Sequence, residues 1–213
     1  MTMAAMPERT YVPAAGRDLF LRFYDPLTRL FGGRKIALAL LEQASLQPHF
    51  KVLDVGCGTG TVAVLIKQLH PAIEIAGLDP DPKALAIAAG KAARAGVAVR
   101  FDRGFADLLP YEDASFDRVF SSLMFHHVRG DDRPKVLAEI RRVLKPGGSL
   151  EFVDIAGHGH GFLVRLLHGQ PAAPPPGEDR MLRRLREAGF ADAHKVADRD
   201  TGFGPIAFYQ ARR

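Results

Sequence analysis

Cysteine is nearly absent from this chain: Cys57 is the only one in 213 residues, so no disulfide within the chain can hold the fold. That excludes the disulfide-knit class of small secreted domains and fits a reducing, cytoplasmic setting. Long apolar runs are missing as well, and none approaches the ~20 residues of a membrane-spanning helix. The opening stretch MTMAAMPERTYVPAAGRD has no basic start followed by an apolar core, so no secretory signal is expected. The net charge of +5 is not gathered into a patch. Arg141, Arg142 and Lys145 fall on the polar face of one expected helix, and Arg183, Arg184 and Arg186 on another. Glu139 and Glu187 are interleaved among them, the pattern of ordinary solvated faces, which argues against a nucleic-acid partner. No internal repeat is visible. With 47% hydrophobic residues the chain can bury one good core, and residues 1–213 read as a single domain.

What is present begins with Val52 to Gly60, VLDVGCGTG. Phe50, Val52, Leu53 and Val55 read as a buried strand, and Thr61 to Leu69 as the helix that follows. Gly56, Gly58 and Gly60 let the backbone take positive φ and approach a ligand closely, a costly way to build a plain connection. The N–H groups opening the next helix favour polar or anionic ligand groups. Dinucleotide sites use the same device, but their fingerprint needs a third glycine where this chain has Thr61. Asp54 also separates the two readings. A carboxylate at the strand tip repels a pyrophosphate and holds a ligand that carries an ammonium group. S-adenosylmethionine (SAM) has such an ammonium on its methionine end and a sulfonium nearby.

The segment VLDVGCGTG resembles the first motif of the Rossmann-like (class I) SAM-dependent methyltransferases, and the likeness covers roughly residues 50–155. A shorter likeness, the pair Tyr24-Asp25, is to the ubiquinone/menaquinone C-methyltransferases, where the tyrosine covers the cofactor. The resemblance implies an α/β fold: a doubly wound, mostly parallel seven-stranded sheet with an N-terminal helical cap. It implies SAM as cofactor, with S-adenosyl-L-homocysteine (SAH) as product. Asp54, Gly56, Cys57, Gly58 and Gly60 would then border the methionine end.

The rest of the pattern agrees with strands alternating with helices, hence a parallel sheet. Residues 1–48 read as the cap, with Leu19, Phe20, Phe23, Leu27, Leu30 and Phe31 at helical spacings and a second helix over Ile36–Ala44. Residues 49–156 read as the cofactor-binding core. Its strands are expected at Ile73–Asp79, Val97–Phe101, Phe116–Phe120 and Leu150–Ile155. Asp81 and Pro82 open one helix, and Asp131 or Asp132 with Pro134 another. In the latter Val136, Leu137, Ile140, Val143 and Leu144 form an apolar stripe. In residues 157–213 a glycine- and proline-rich stretch, 157–177, reads as a lid-like segment. Met181–Ala188 reads as the last helix, and Ala191–Ala197 and Ile206–Ala211 as closing strands.

Asp79 ends the second strand, 21 residues beyond Gly58, where a carboxylate can accept both hydroxyls of an adenosyl ribose. By resemblance Pro80 lines the adenine edge. GFADLLPY, Gly104 to Tyr111, is similar to the family's third-strand exit, but Phe105 stands where an aspartate usually reads the adenine amino group. The Phe105 ring or the Ala106 backbone would substitute. Ser121, past the fourth strand, would lie under the methionine moiety.

His126 and His127 follow on the rim where substrate enters, and either could accept a proton from an attacking oxygen or nitrogen. Ser121, Ser122, Leu123 and Met124 replace the Asn/Asp-Pro-Pro-aromatic run of the nucleic-acid base methyltransferases. His158, His160 and His168 have no supporting carboxylate or cysteine ligand, so no metal is expected. The expected activity is methyl transfer from SAM to a small-molecule or lipid-like acceptor by in-line displacement. The alternatives are a non-catalytic SAM-binding protein and a nicotinamide-dependent oxidoreductase.

Overall fold

The computed structural model describes residues 32–156, 179–202 and 204–213. The cap residues before 32, Tyr24 among them, and the segment 157–177 with its three histidines lie outside the described residues.

Seven strands form one sheet: β1 (Lys51–Val55), β2 (Glu74–Asp79), β3 (Arg100–Arg103), β4 (Phe116–Ser122), β5 (Leu144–Ile155), β6 (Ala191–Thr201) and β7 (Gly204–Arg212). Their spatial order is β3-β2-β1-β4-β5-β7-β6. The first five run parallel, and β7 is antiparallel to both of its neighbours. The order reverses between β1 and β4. In open α/β sheets the crevice above such a switch point, at the carboxyl ends of the strands, is where ligands sit.

Five α-helices belong to the described residues: α1 (Gly33–Gln43), α2 (Thr61–Leu69), α3 (Pro82–Arg94), α4 (Arg133–Val143) and α5 (Arg180–Glu187). Apolar side chains on both sheet faces explain why the central strands read as near-continuous hydrophobic runs. One face packs Leu53, Val55 and Phe152 against Val136, Leu137 and Ile140 of α4. The other packs Val52, Phe120 and Phe208 against α1 and α2, through Ile36, Leu40, Val62 and Ile66. Phe120, Phe152 and Phe208 are each at most 1% exposed, and full burial of such a ring contributes about 1.5–3 kcal/mol.

Several element ends differ from the sequence expectation, α1 opening at Gly33 and β6 running on to Thr201 among them, and two have a plain local reason. The third strand begins at Arg100, not Val97, because the α3 exit uses those residues: Gly96 is left-handed at φ 66° and the Val97 N–H bonds the Ala92 carbonyl at 3.1 Å. Strand β5 begins at Leu144 because the chain turns extended directly after Val143, and Lys145 to Gly148 join the strand. At the start of α4, Asp132 occupies the N-cap position but makes no side-chain capping bond. Asp81, by contrast, caps α3 by accepting from the Lys83 N–H at 2.8 Å.

Candidate cofactor site

The glycine turn leaves β1 at the switch point and is tied to β2. The N–H groups of Gly56 and Cys57 both donate to the Leu78 carbonyl, at 2.8 and 3.0 Å. Gly56, Gly58 and Gly60 all take positive φ, at 70°, 51° and 74°. Their surroundings differ. A Cβ on Gly56 would stand 2.1 Å from Met124 Cγ, and one on Gly60 would stand 2.8 Å from Ala88 Cβ. A Cβ on Gly58 would meet nothing within 4 Å among the described residues. Two glycines are therefore packing necessities, and the middle one faces open space.

Asp54 sits under this turn, 1% exposed, and its Oδ2 has no hydrogen-bond partner among the described residues. Burial pushes its carboxyl up to about 7, opposed by a backbone hydrogen bond from Ala63 and reinforced by the nearby Asp79. A buried carboxylate with one unpartnered oxygen is unfavourable by itself and calls for a cationic or donor group. Asp79 accepts from the Gly58 N–H and the Asp81 N–H, each at 2.9 Å, and burial raises its carboxyl as well. Each of its oxygens keeps acceptor capacity for a hydroxyl donor. Cys57 is buried, and its thiol is pushed up by burial and by the Asp54 and Asp79 charges, the opposite of an activated nucleophile.

Around this centre stand the other residues picked out from the sequence. Ser121 is fully buried, and its Oγ too has no partner among the described residues. Pro80 accepts from Arg103 Nε at 3.2 Å through its carbonyl. Phe105 and Ala106 are half-buried in the loop after β3, where Phe105 forms an isolated bridge with Leu108. The root of that loop is joined to β2 by the Gly104 N–H, which donates to the Asp79 carbonyl at 3.2 Å. Thr61, standing where a dinucleotide fingerprint needs glycine, accepts from Lys91 Nζ at 2.9 Å.

His126 and His127 form a short 3₁₀ turn after β4, with ring centroids 4.0 Å apart. The two differ. His126 is bound to Asp154 of β5, a residue the sequence analysis did not single out, although an aspartate in the apolar strand FVDI was a signal of it. One Asp154 oxygen accepts from the His126 N–H at 2.9 Å and the other meets Nδ1 at 2.5 Å. A carboxylate can only accept, so Nδ1 carries a proton and Nε2 is the ring atom left to act as a base. His127 is held neutral instead: burial, then the neighbouring His126, lowers its pKa to about 4.

A glycine-rich turn at the switch-point crevice, above a buried aspartate and beside a second at the end of β2, is the arrangement expected of a SAM-binding protein. Comparison with known proteins agrees. A methyltransferase-domain model matches residues 52–148. An O-methyltransferase of Aspergillus nomiae is 32% identical over 157 residues, which cover 71% of this chain and 68% of that protein. A demethylmenaquinone methyltransferase of Deinococcus radiodurans is 39% identical over 137 residues, 62% of this chain. The chain spans 55% of that relative's length. The crystal structure of a SAM-dependent methyltransferase of Thermotoga maritima superposes with a TM-score of 0.63 and 26% identity, covering 91% of this chain and 97% of that one. The chain belongs to the SAM-dependent methyltransferase family, and SAM is the cofactor of that family.

Among the described residues, no three His, Cys, Asp or Glu side chains gather as metal ligands, and no helix is long and apolar enough to cross a membrane.

Proposed function

We propose that this chain transfers the methyl group of SAM to a small-molecule or lipid-like acceptor, with His126 as the proton-accepting base. The single observation that carries the cofactor half is Asp54, a buried carboxylate with an unpartnered oxygen beneath an open glycine cradle. Asp54 holds the ammonium of the methionine end, Asp79 accepts from the ribose hydroxyls, and the turn 56–60 lies against the ligand. SAM supplies a methyl group already activated by its sulfonium, so the chain's work is placement, desolvation and proton removal.

The acceptor half rests on His126 and Asp154. Asp154 fixes the ring from Nδ1, which leaves Nε2 to take the proton of an acceptor hydroxyl or amine as that atom attacks. His127, kept neutral by burial, adds no second positive charge beside the imidazolium that forms. The names of the relatives support small-molecule acceptors: one is an O-methyltransferase and another acts on demethylmenaquinone.

The test is transfer of labelled methyl from SAM into a metabolite extract. Label in a small organic-soluble product supports the proposal. SAM binding without transfer to any extract component would make the chain a binder, not an enzyme.

A further inference from the structure

Arg142 was expected on a solvated helix face; it is engaged by all five of its N–H groups. Nε and one Nη2 hydrogen go to the two oxygens of Glu139, one turn earlier on α4, at 2.7 and 2.8 Å. The other Nη2 hydrogen goes to the Leu109 carbonyl at 3.0 Å, and Nη1 reaches the Tyr111 carbonyl at 2.8 Å and Asp113 Oδ1 at 2.7 Å. Glu139 Oε2 in turn accepts from the Leu109 N–H at 2.8 Å. Two side chains of α4 thus hold three main-chain groups of the segment that joins β3 to β4. The near end of that segment is Gly104, tied to Asp79, followed by Phe105 and Ala106.

That segment has no helix or strand of its own, and where main-chain partners run out, at Leu109 and Tyr111, its main-chain groups are met by side chains. A planar guanidinium can serve several carbonyls and a carboxylate at once, which a lysine ammonium cannot do in the same geometry. Behind the pair, Tyr111 Oη donates to Asp102 Oδ2 of β3 at 2.9 Å, and Leu109 is 4% exposed in the core. The Arg142 bond pulls Glu139 below its ordinary carboxylate range, so the pair is ionised at neutral pH.

We propose that Glu139 and Arg142 are positioning residues for the cofactor's adenine: they fix from behind the loop whose Phe105–Ala106 end borders the base. The proposal rests on the cofactor reading above. Phe105 carries no carboxylate to read the adenine amino group, so recognition falls to main-chain groups and apolar contact. Main-chain recognition is only as good as the placement of the main chain. The clamp therefore matters more here than it would beside an aspartate.

The experiment is SAH titration by calorimetry, well below the melting temperature, on the wild type and on Arg142→Met, Arg142→Lys and Glu139→Gln. Amide hydrogen exchange of residues 104–113 is followed in the same samples. Arg142→Met is expected to weaken SAH about tenfold or more and to expose the loop amides, with β1 and β4 amides still protected. Arg142→Lys, which keeps the charge and loses the fork, is expected to behave nearly as badly. Glu139→Gln keeps an acceptor for the Leu109 N–H and is expected to fall between; it also serves if the Arg142 variants do not fold. A clamp with only a structural role would lower the melting temperature and leave SAH affinity within about twofold of wild type, which overturns the proposal. Wild-type protein that binds no SAH overturns the cofactor reading itself, a different and separately visible result.

Discussion

Asp154 grips His126 twice, accepting from its backbone N–H with one oxygen and meeting its ring Nδ1 with the other. The histidine is oriented by the end of the neighbouring strand, and only Nε2 is left for an acceptor. Acting as the proposed base, a histidine so positioned would contribute typically ~10²–10⁴-fold to rate.

Asp154→Asn is therefore expected to lower the methyl-transfer rate by roughly 10–100-fold at saturating SAM, since an amide can present its N–H to Nδ1 and favour the wrong tautomer. SAM affinity should stay within about twofold, because Asp154 belongs to the acceptor side. Stopped assays at saturating SAM alongside calorimetry separate the two quantities. Equal loss in both would place Asp154 in the scaffold rather than beside the base.

Asp54 should make the ligand-free chain pH-sensitive in a defined direction. Its folded carboxyl titrates near 7 against an ordinary 3.8, so the folded state holds the proton more tightly than the unfolded state. Its contribution to stability is fully present below about pH 4 and is lost progressively as pH rises to about 7. Urea unfolding of wild type and Asp54→Asn across that range checks this. The variant should lose less stability over the interval; parallel curves would contradict the buried titration.

The glycines of the turn should separate by role. Gly56→Ala drives a Cβ into Met124 and should destabilise the fold by about 1–3 kcal/mol, as overpacking does. Gly58→Ala meets no neighbour among the described residues and should lose only about 1–2 kcal/mol, from its left-handed backbone. Its larger effect should be on SAM affinity, because its Cβ fills the open cradle. Thermal melts and SAM titrations on both variants read the difference.

Adenine recognition should be lax at the amino group. With Phe105 in place of an aspartate, a cofactor analogue lacking that group should bind with under ~1 kcal/mol lost, about the net worth of one neutral hydrogen bond. A loss of several kilocalories would mean that another residue reads it.

Much of the proposed site is visible in the sequence because its parts are local. Asp54 and the three glycines lie within seven residues, and Asp79 follows at the end of the next strand. The sheet was equally readable up to its ends, since buried parallel strands announce themselves as apolar runs. What the sequence hid was long-range. Asp154 finds His126 only because β4 and β5 pair with Ser122 opposite Val153, which brings the two strand exits together. Arg142 looked like a solvated charge because two of its partners, the Leu109 and Tyr111 carbonyls, are main-chain groups some thirty residues away that carry no side-chain signature. The bond from Lys91 Nζ to the Thr61 hydroxyl is hidden by separation along the chain alone.

Calorimetry on wild type and Asp54→Ala tests most directly whether the turn over Asp54 holds SAM by its ammonium. The account predicts one saturable site for SAM and SAH with micromolar affinity in the wild type, and no heat with NAD. In a folded Asp54→Ala, SAM binding should weaken at least about tenfold, ~1.4 kcal/mol, the expected loss of one charge-assisted contact in a buried site. Unchanged affinity in that variant, or binding of NAD in place of SAM, would contradict it.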